Sequence, residues 1–278
     1  MHYQHRYHAG NFADVFKHAL LVELLAALNA KDAPWCYVET HGGAGEYPLD
    51  DVAAQRTGEA LEGIMRLRDA AVVPPALQPY LQLVRRANDG GALAHYPGSP
   101  LFALMLARPQ DRVIVCEKVP AVAAELRARL ADDARAAVHL RDGYESASLL
   151  PPRERRGLVL VDPPFERADE FDAAADFLAS ALKRFGNGVY ALWYPYKNRY
   201  QTERWLRRVR GALTQEALNL QIDTGAPSEG QMHACGLLVV NPPYAFTQSA
   251  PAVLAALRPL LAMGDKARTA CDPWPRTK

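Results

Sequence analysis

A chain of 278 residues, 49% hydrophobic and 23% charged, has the composition of a globular protein with a substantial core. Its formal net charge of +1 excludes attraction to a polyanion through the overall field, so a nucleic-acid partner has to be met by local basic patches. No run approaches a membrane span and the N-terminus holds no apolar signal core, which points to the cytoplasm and to no membrane partner.

Apolar positions at helical spacing (Phe12, Phe16, Ala19, Leu20) predict a helix over 12–30. Strands are expected at 35–38, 112–116, 137–140, 158–161, 189–193, 217–222 and 236–240. Most are short, apolar and β-branched, as in strands covered on both faces. Helical stretches at 120–131, 169–184 and 200–213 alternate with them, and that alternation predicts an α/β fold with a parallel, doubly wound sheet. The turn-rich 223–230 is expected to close a hairpin, which leaves the last strand antiparallel. A seven-stranded, mostly parallel sheet of this kind is the Rossmann-like methyltransferase layout, though a fold alone does not give a function. Cys36, Cys116 and Cys235 fall in these apolar runs and, with Cys271, show no CxxC spacing, so free thiols of a reducing compartment are expected.

More than sixty residues separate the glycine-rich turn at 42–45 from the strand at 112. Residues 56–88 read as two helices split by Pro74-Pro75. We therefore expect a helical subdomain over 47–94, inserted into a domain formed by 1–46 and 95–278. It is either a stabilising excursion or a substrate-recognition element.

The first strand runs into Glu39-Thr40-His41-Gly42-Gly43-Ala44-Gly45, where glycines permit close backbone approach to a ligand. The spacing is not the GxGxxG of nicotinamide enzymes, and no GK[ST] follows to make a phosphate loop. The second strand ends in Glu117, placed to accept from both hydroxyls of a ribose. Arg141-Asp142-Gly143 follows the third strand; Asp142 reads equally as an acceptor for an adenine amine and as a helix N-cap.

Asp162-Pro163-Pro164-Phe165 ends the fourth strand. A carboxylate and a backbone carbonyl, each accepting one N–H, can favour a pyramidal adenine amine and stabilise the positive charge that develops on it. Prolines hold such a corner rigid, and Phe165 offers an apolar face to a flipped base. Asn241-Pro242-Pro243-Tyr244 is a rival, being the signature of other amino-methylating enzymes. It follows the antiparallel strand, so it reads as a structural turn and Asp162 as the catalytic residue.

With these residues assembled, the sequence resembles the RlmJ family, bacterial methyltransferases acting on adenine N6 in 23S ribosomal RNA. The resemblance runs from Tyr3–His18 through Glu39–Gly45, Arg56–Glu59, Tyr96–Pro100 and Asp162–Phe165 to Tyr190–Pro195. It implies S-adenosyl-L-methionine as cofactor, contacted by His18, His41, Ser99, Glu117, Asp142 and Gly143. It further implies Asp162 as catalytic residue and Tyr3 at the RNA. Two positions depart from the family pattern: Glu39 stands where Asp is usual, and Phe165 where Tyr is common. On the residues alone, a lone helical histidine such as His18 is more often a core or surface residue. His5 and His8 have the spacing of a metal pair but no further ligands, so no metal is expected.

Arg153-Glu154-Arg155-Arg156, the run Lys197, Arg199, Arg204, Arg207, Arg208 and Arg210 with Tyr196, Tyr200 and Trp205, and the basic, aromatic N-terminus are candidates for one RNA-tracking surface around the pocket. The 204–210 run reads equally as a solvated helix face. The expectation is direct in-line methylation of 23S ribosomal RNA, free of ribosomal proteins or in an early assembly intermediate, by a monomer. The rival readings are a DNA adenine-N6 methyltransferase, a protein-glutamine methyltransferase working through Asn241, and a nucleic-acid-binding module that has lost catalysis.

Overall fold

The computed structural model describes residues 7–49, 58–227 and 232–277. The first helix, α1 (Phe12–Asn29), starts where Asn11 turns its side chain back to accept from the Asp14 amide, at 2.9 Å. Then follow β1 (Cys36–Glu39), β2 (Glu46–Pro48), α2 (Ile64–Arg68), α3 (Gln78–Arg86), β3 (His95–Pro97), α4 (Ser99–Leu106), β4 (Arg112–Glu117), α5 (Pro120–Leu130) and β5 (Ala136–Leu140). The second half supplies β6 (Gly157–Val161), α6 (Glu170–Arg184), β7 (Val189–Pro195), α7 (Arg199–Ala212), β8 (Ala217–Asp223), β9 (Ala234–Val240), α8 (Tyr244–Leu261) and β10 (Arg268–Trp274).

The main sheet has the order β10-β8-β9-β7-β6-β1-β4-β5. β5, β4, β1, β6 and β7 run parallel, while β9 opposes both β7 and β8, and β10 opposes β8. The Rossmann-like arrangement is present with one strand more than the seven expected, and the antiparallel strands are two, β9 within the sheet and β10 at its edge. β10 escapes a hydrophobic reading because it is an edge: Arg268, Ala270, Asp272 and Pro273 are exposed, and proline is tolerated where no ladder bond is required.

Alternation along each strand divides the core in two. Tyr37, Val113, Val115, Leu158, Leu160 and Ala191 join α1, α4 and α8 on one face. Val38, Ile114, Val159, Val161, Tyr190 and Leu192 meet Phe177 of α6 and Trp205 and Val209 of α7 on the other. The stretch after β2 is less helical than expected: a 3-10 turn at Glu59–Glu62, the five-residue α2, then a turn at Pro75–Leu77 leading into α3. Ile64, Leu67, Leu77 and Tyr80 are at most 1% exposed and share the α1 core. No helix among the described residues is long and apolar enough to cross a membrane.

Candidate active site

Because β1, β4, β5 and β6 are parallel, their C-terminal ends share one edge, and β1 sits between β4 and β6, where open α/β sheets leave a crevice. Glu39, Glu117, Asp142 and Asp162 stand at or just past those ends. The turn after β1 is held by backbone bonds from Gly42 N–H to the Cys116 carbonyl and from Gly98 N–H to the Gly45 carbonyl, at 3.0 and 2.7 Å. Gly43 lies at φ +61, a conformation that L side chains rarely adopt, and its N–H donates to Glu117 Oε2 at 3.1 Å. Glu117 Oε1 accepts from the Val119 amide at 2.8 Å, so both oxygens are oriented while lone pairs stay available for a diol. Asp142 caps the 3-10 segment Gly143–Leu149 through Oδ1, with Tyr144 N–H at 3.0 Å; this is the cap reading, and it leaves Oδ2 for a second donor. Gly143 lies so close to the first turn that a Cβ there would come within 2.1 Å of the Thr40 carbonyl oxygen and 2.9 Å of the His41 ring.

Ser99, at the start of α4, donates to Glu39 Oε1 at 2.5 Å, and Tyr37 donates to Oε2 at 2.9 Å. Glu39 is fully buried, and burial pushes its carboxyl up to about 8 against those two donors. His41 shares a 2.7 Å hydrogen bond with the Thr40 hydroxyl and meets the Tyr144 ring edge-on; burial pulls it down to about 4, so it is neutral near pH 7. The structure thus gathers His41, Ser99, Glu117, Asp142 and Gly143 around one crevice. His18 sits one layer deeper, 1% exposed, with Nδ1 at 2.8 Å from the Tyr96 hydroxyl and its ring against Tyr96 and Phe102. That packing braces the Tyr96–Ser99 segment. Tyr3 and His5 lie outside the described residues, and His8 is engaged by Glu59 at 2.8 Å.

Asp162 has a partner that sequence reasoning passed over. Lys17, buried in α1, donates to Asp162 Oδ2 at 2.5 Å and to Asp14 Oδ1 at 3.0 Å. Burial by itself lowers an ammonium's pKa, but Asp14 and Asp162 beside it hold Lys17 well above the ordinary lysine value. The cation therefore fixes one oxygen of Asp162; Oδ1 accepts no hydrogen bond among the described residues. A lysine in a helix flanked by Val15, Phe16, Leu20 and Leu21 carries no local signal of this role. The sole hint is a charged pair, Asp14 and Lys17, at core positions of an apolar helix.

Phe165 adopts a left-handed φ of 49 and is 9% exposed, its ring against Phe171 and Trp193. The face expected to meet a flipped base is thus largely covered by aromatic neighbours. Asn241 follows β9, whose direction opposes β7; Val240 pairs with Tyr190, so the motif lies at the edge opposite Asp162. There Asn241 Nδ2 donates to the Gly186 and Gly188 carbonyls at 3.0 and 2.8 Å.

Among the described residues, the basic stretches expected to form a single surface around the pocket lie apart. Arg153–Arg156 precedes β6 and so occupies the edge opposite Asp162, where Arg156 donates to the Ala33 carbonyl at 2.7 Å and Glu154 pairs with Arg112 at 2.6 Å. The later run is divided by helix geometry: Trp205 is buried, Arg208 turns to Asp172 and Asp176 of α6, and Arg199, Arg207 and Arg210 line a cleft on the other flank of α7.

Comparison with known proteins places these features in context. The family model described as Ribosomal RNA large subunit methyltransferase D, RlmJ, matches residues 32–270. The chain is 39% identical over 254 residues to Ribosomal RNA large subunit methyltransferase J of Escherichia coli, covering 91% of each. It is 38% identical over 245 residues to the Haemophilus influenzae protein of that name, covering 87% of each. A crystal structure of a Legionella pneumophila protein superposes with a TM-score of 0.88 at 35% identity, covering 95% of this chain and 98% of the other.

Proposed function

The chain belongs to the RlmJ family of large-subunit ribosomal RNA methyltransferases, and from that premise we propose that it methylates the N6 amine of one adenine in 23S ribosomal RNA, using S-adenosylmethionine. The observation that carries this reading is the Lys17–Asp162 pair, which leaves a proline-stiffened carboxylate with one free oxygen at the edge where the crevice residues converge.

The residues fit the cofactor. Glu117 keeps lone pairs for a ribose diol, Asp142 Oδ2 is open to an adenine amine, and Gly143, with no side chain, lets the Asp142 turn pack directly against Thr40 and His41. Ser99, held by Glu39, and neutral His41 suit the amino-acid end. When bound, S-adenosylmethionine supplies an activated methyl group. The protein's part is to orient the nucleophile: Asp162 Oδ1 and the Pro163 carbonyl each accept one N–H of the target amine and aim its lone pair. Charge that develops on nitrogen is balanced by Asp162, whose position Lys17 fixes. Transfer is direct and in line, with no covalent protein intermediate. The chain acts as a monomer in the cytoplasm on RNA free of ribosomal proteins or early in assembly, with His18 bracing the cofactor site and Tyr3 meeting the RNA.

The test is Asp162→Ala, assayed for methyl transfer to protein-free 23S ribosomal RNA, with duplex DNA alongside and cofactor affinity measured by calorimetry. Cofactor binding within about threefold of wild type with turnover reduced at least ~10²-fold is expected. Retained turnover, or a wild type that prefers duplex DNA, would sink the reading.

A further inference from the structure

The cleft beside α7, with a volume of about 580 Å³, has a floor and a wall of different origin. Its floor is one face of the antiparallel end of the sheet. Asn219, Gln221 and Asp223 alternate along β8, and the register sets Asp272, Ala270 and Arg268 against them. Its wall is a stripe of α7: Arg199, Glu203, Leu206, Arg207 and Arg210 fall at i, i+4, i+7, i+8 and i+11, one side of a helix. β8 points the same way as β7, so the Asp223–Arg268 end of the cleft opens at the edge that carries Asp162. Lys197 joins the two places, with Nζ 3.4 Å from the Phe165 carbonyl.

Charge selects the occupant. Lys197, Arg199, Arg207, Arg210 and Arg268 line the cleft against Glu203, Asp223 and Asp272, five cations to three carboxylates in a chain whose net charge is +1. Arg199 pairs with Glu203 at 2.7 Å and Arg268 with Asp223 at 3.3 Å, whereas Arg207 and Lys197 have no carboxylate partner among the described residues. Tyr200, next to Arg199 on the first turn of α7, is 72% exposed and stacks on no ring among the described residues. The wall from Arg199 to Arg210 extends ~16 Å, room for several nucleotides of one strand at ~3.4 Å each.

We propose that this cleft holds the RNA strand leading away from the target adenine, with Lys197, Arg207 and Arg268 on its phosphates and Tyr200 stacked on an unpaired base. The proposal rests on the RNA-methylating reading above. It uses a strand, β10, that lies far from the catalytic corner in sequence, and it separates RNA capture from methyl transfer.

Equilibrium binding of a 23S ribosomal RNA fragment, measured against salt, tests it for wild type, Arg207→Ala/Arg268→Ala and Arg208→Ala. The double variant should flatten the slope of log affinity against log salt by about 1.5 and raise KM for RNA roughly tenfold, with kcat and cofactor affinity unchanged. Arg208→Ala removes a charge that lies outside the cleft, turned to Asp172 and Asp176 of α6, and should leave the slope as it is. An unchanged slope in the double variant overturns the proposal, as does an equal loss in Arg208→Ala. So does an affinity for polyglutamate that the double variant abolishes while RNA binding persists, since the cleft would then serve an acidic peptide. Binding is read directly, so a wild type that held RNA with the expected slope but transferred no methyl would sink the methyltransferase reading and spare the cleft.

Discussion

At the scale of single residues the proposed catalytic corner is an electrostatic triangle: Lys17 between Asp14 and Asp162, with Lys17 and Asp14 buried and Asp162 partly so. Removing the cation leaves two carboxylates facing each other in a poorly hydrated place. Lys17→Met is expected to cost about 3 kcal/mol of stability in denaturant titrations and to lower turnover as well, because Asp162 loses its anchor. A second residue-scale consequence concerns pH. Between about 4.5 and about 8 the folded chain keeps a proton on Glu39 that the unfolded chain releases, so this group makes stability fall as pH rises. His41 has the opposite sign: from about 4 to about 6.5 the unfolded chain binds a proton that the folded one refuses, and stability rises. The two oppose each other below pH 6.5. Above it Glu39 declines further, in company with His8, which Glu59 holds above the ordinary histidine value. Stability should therefore drop from pH 6.5 to 8, and Glu39→Gln should reduce that slope by as much as ~1.4 kcal/mol per pH unit. A slope that Glu39→Gln does not alter would mean the folded protein already carries this carboxylate ionised.

At the scale of elements, strand direction sorts two near-identical motifs. Asn241→Ala is expected to keep wild-type turnover and cost about 1–2 kcal/mol, the loss of two side-chain bonds to Gly186 and Gly188. A collapse of activity with cofactor binding intact would instead make Asn241 part of the chemistry. Much of this was legible from local pattern. β1, β4, β6 and β7 are apolar because helices cover both their faces, and the acids that end β1, β4 and the loops after β5 and β6 stand out against those runs. β10 was not legible, since an edge strand with one covered face tolerates Asp272 and Pro273. Nor was the partition of the α7 arginines: spacing shows which share a face, but whether that face meets Asp172 or a cleft depends on where α6 and β10 lie. Lys17 was illegible for a related reason, its partner being 145 residues away.

At the scale of the whole molecule, we propose that the segment over 47–94 unfolds with the sheet. Ile64, Leu67, Leu77 and Tyr80 are buried against α1 and α8 in the same cluster as the strands, and the Gly10 carbonyl accepts from the Ile64 amide at 2.8 Å. Calorimetry should then give one transition with calorimetric and van't Hoff enthalpies equal, and deletion of 59–88 should leave no folded enzyme. Two separable transitions would mean that the insertion is a unit of its own.

The bridge from α1 to the loop after β6 also sets a condition on timing. Lys17 emerges early in synthesis and Asp162 far later, and four strands of the main sheet, β1, β4, β5 and β6, have to be made before the two can meet. On the proposed mechanism, a polypeptide still short of Asp162 has no competent acid to present to the RNA of the particle that is making it. Catalysis by that route begins only once the helix carrying Lys17 has closed over the loop that carries Asp162.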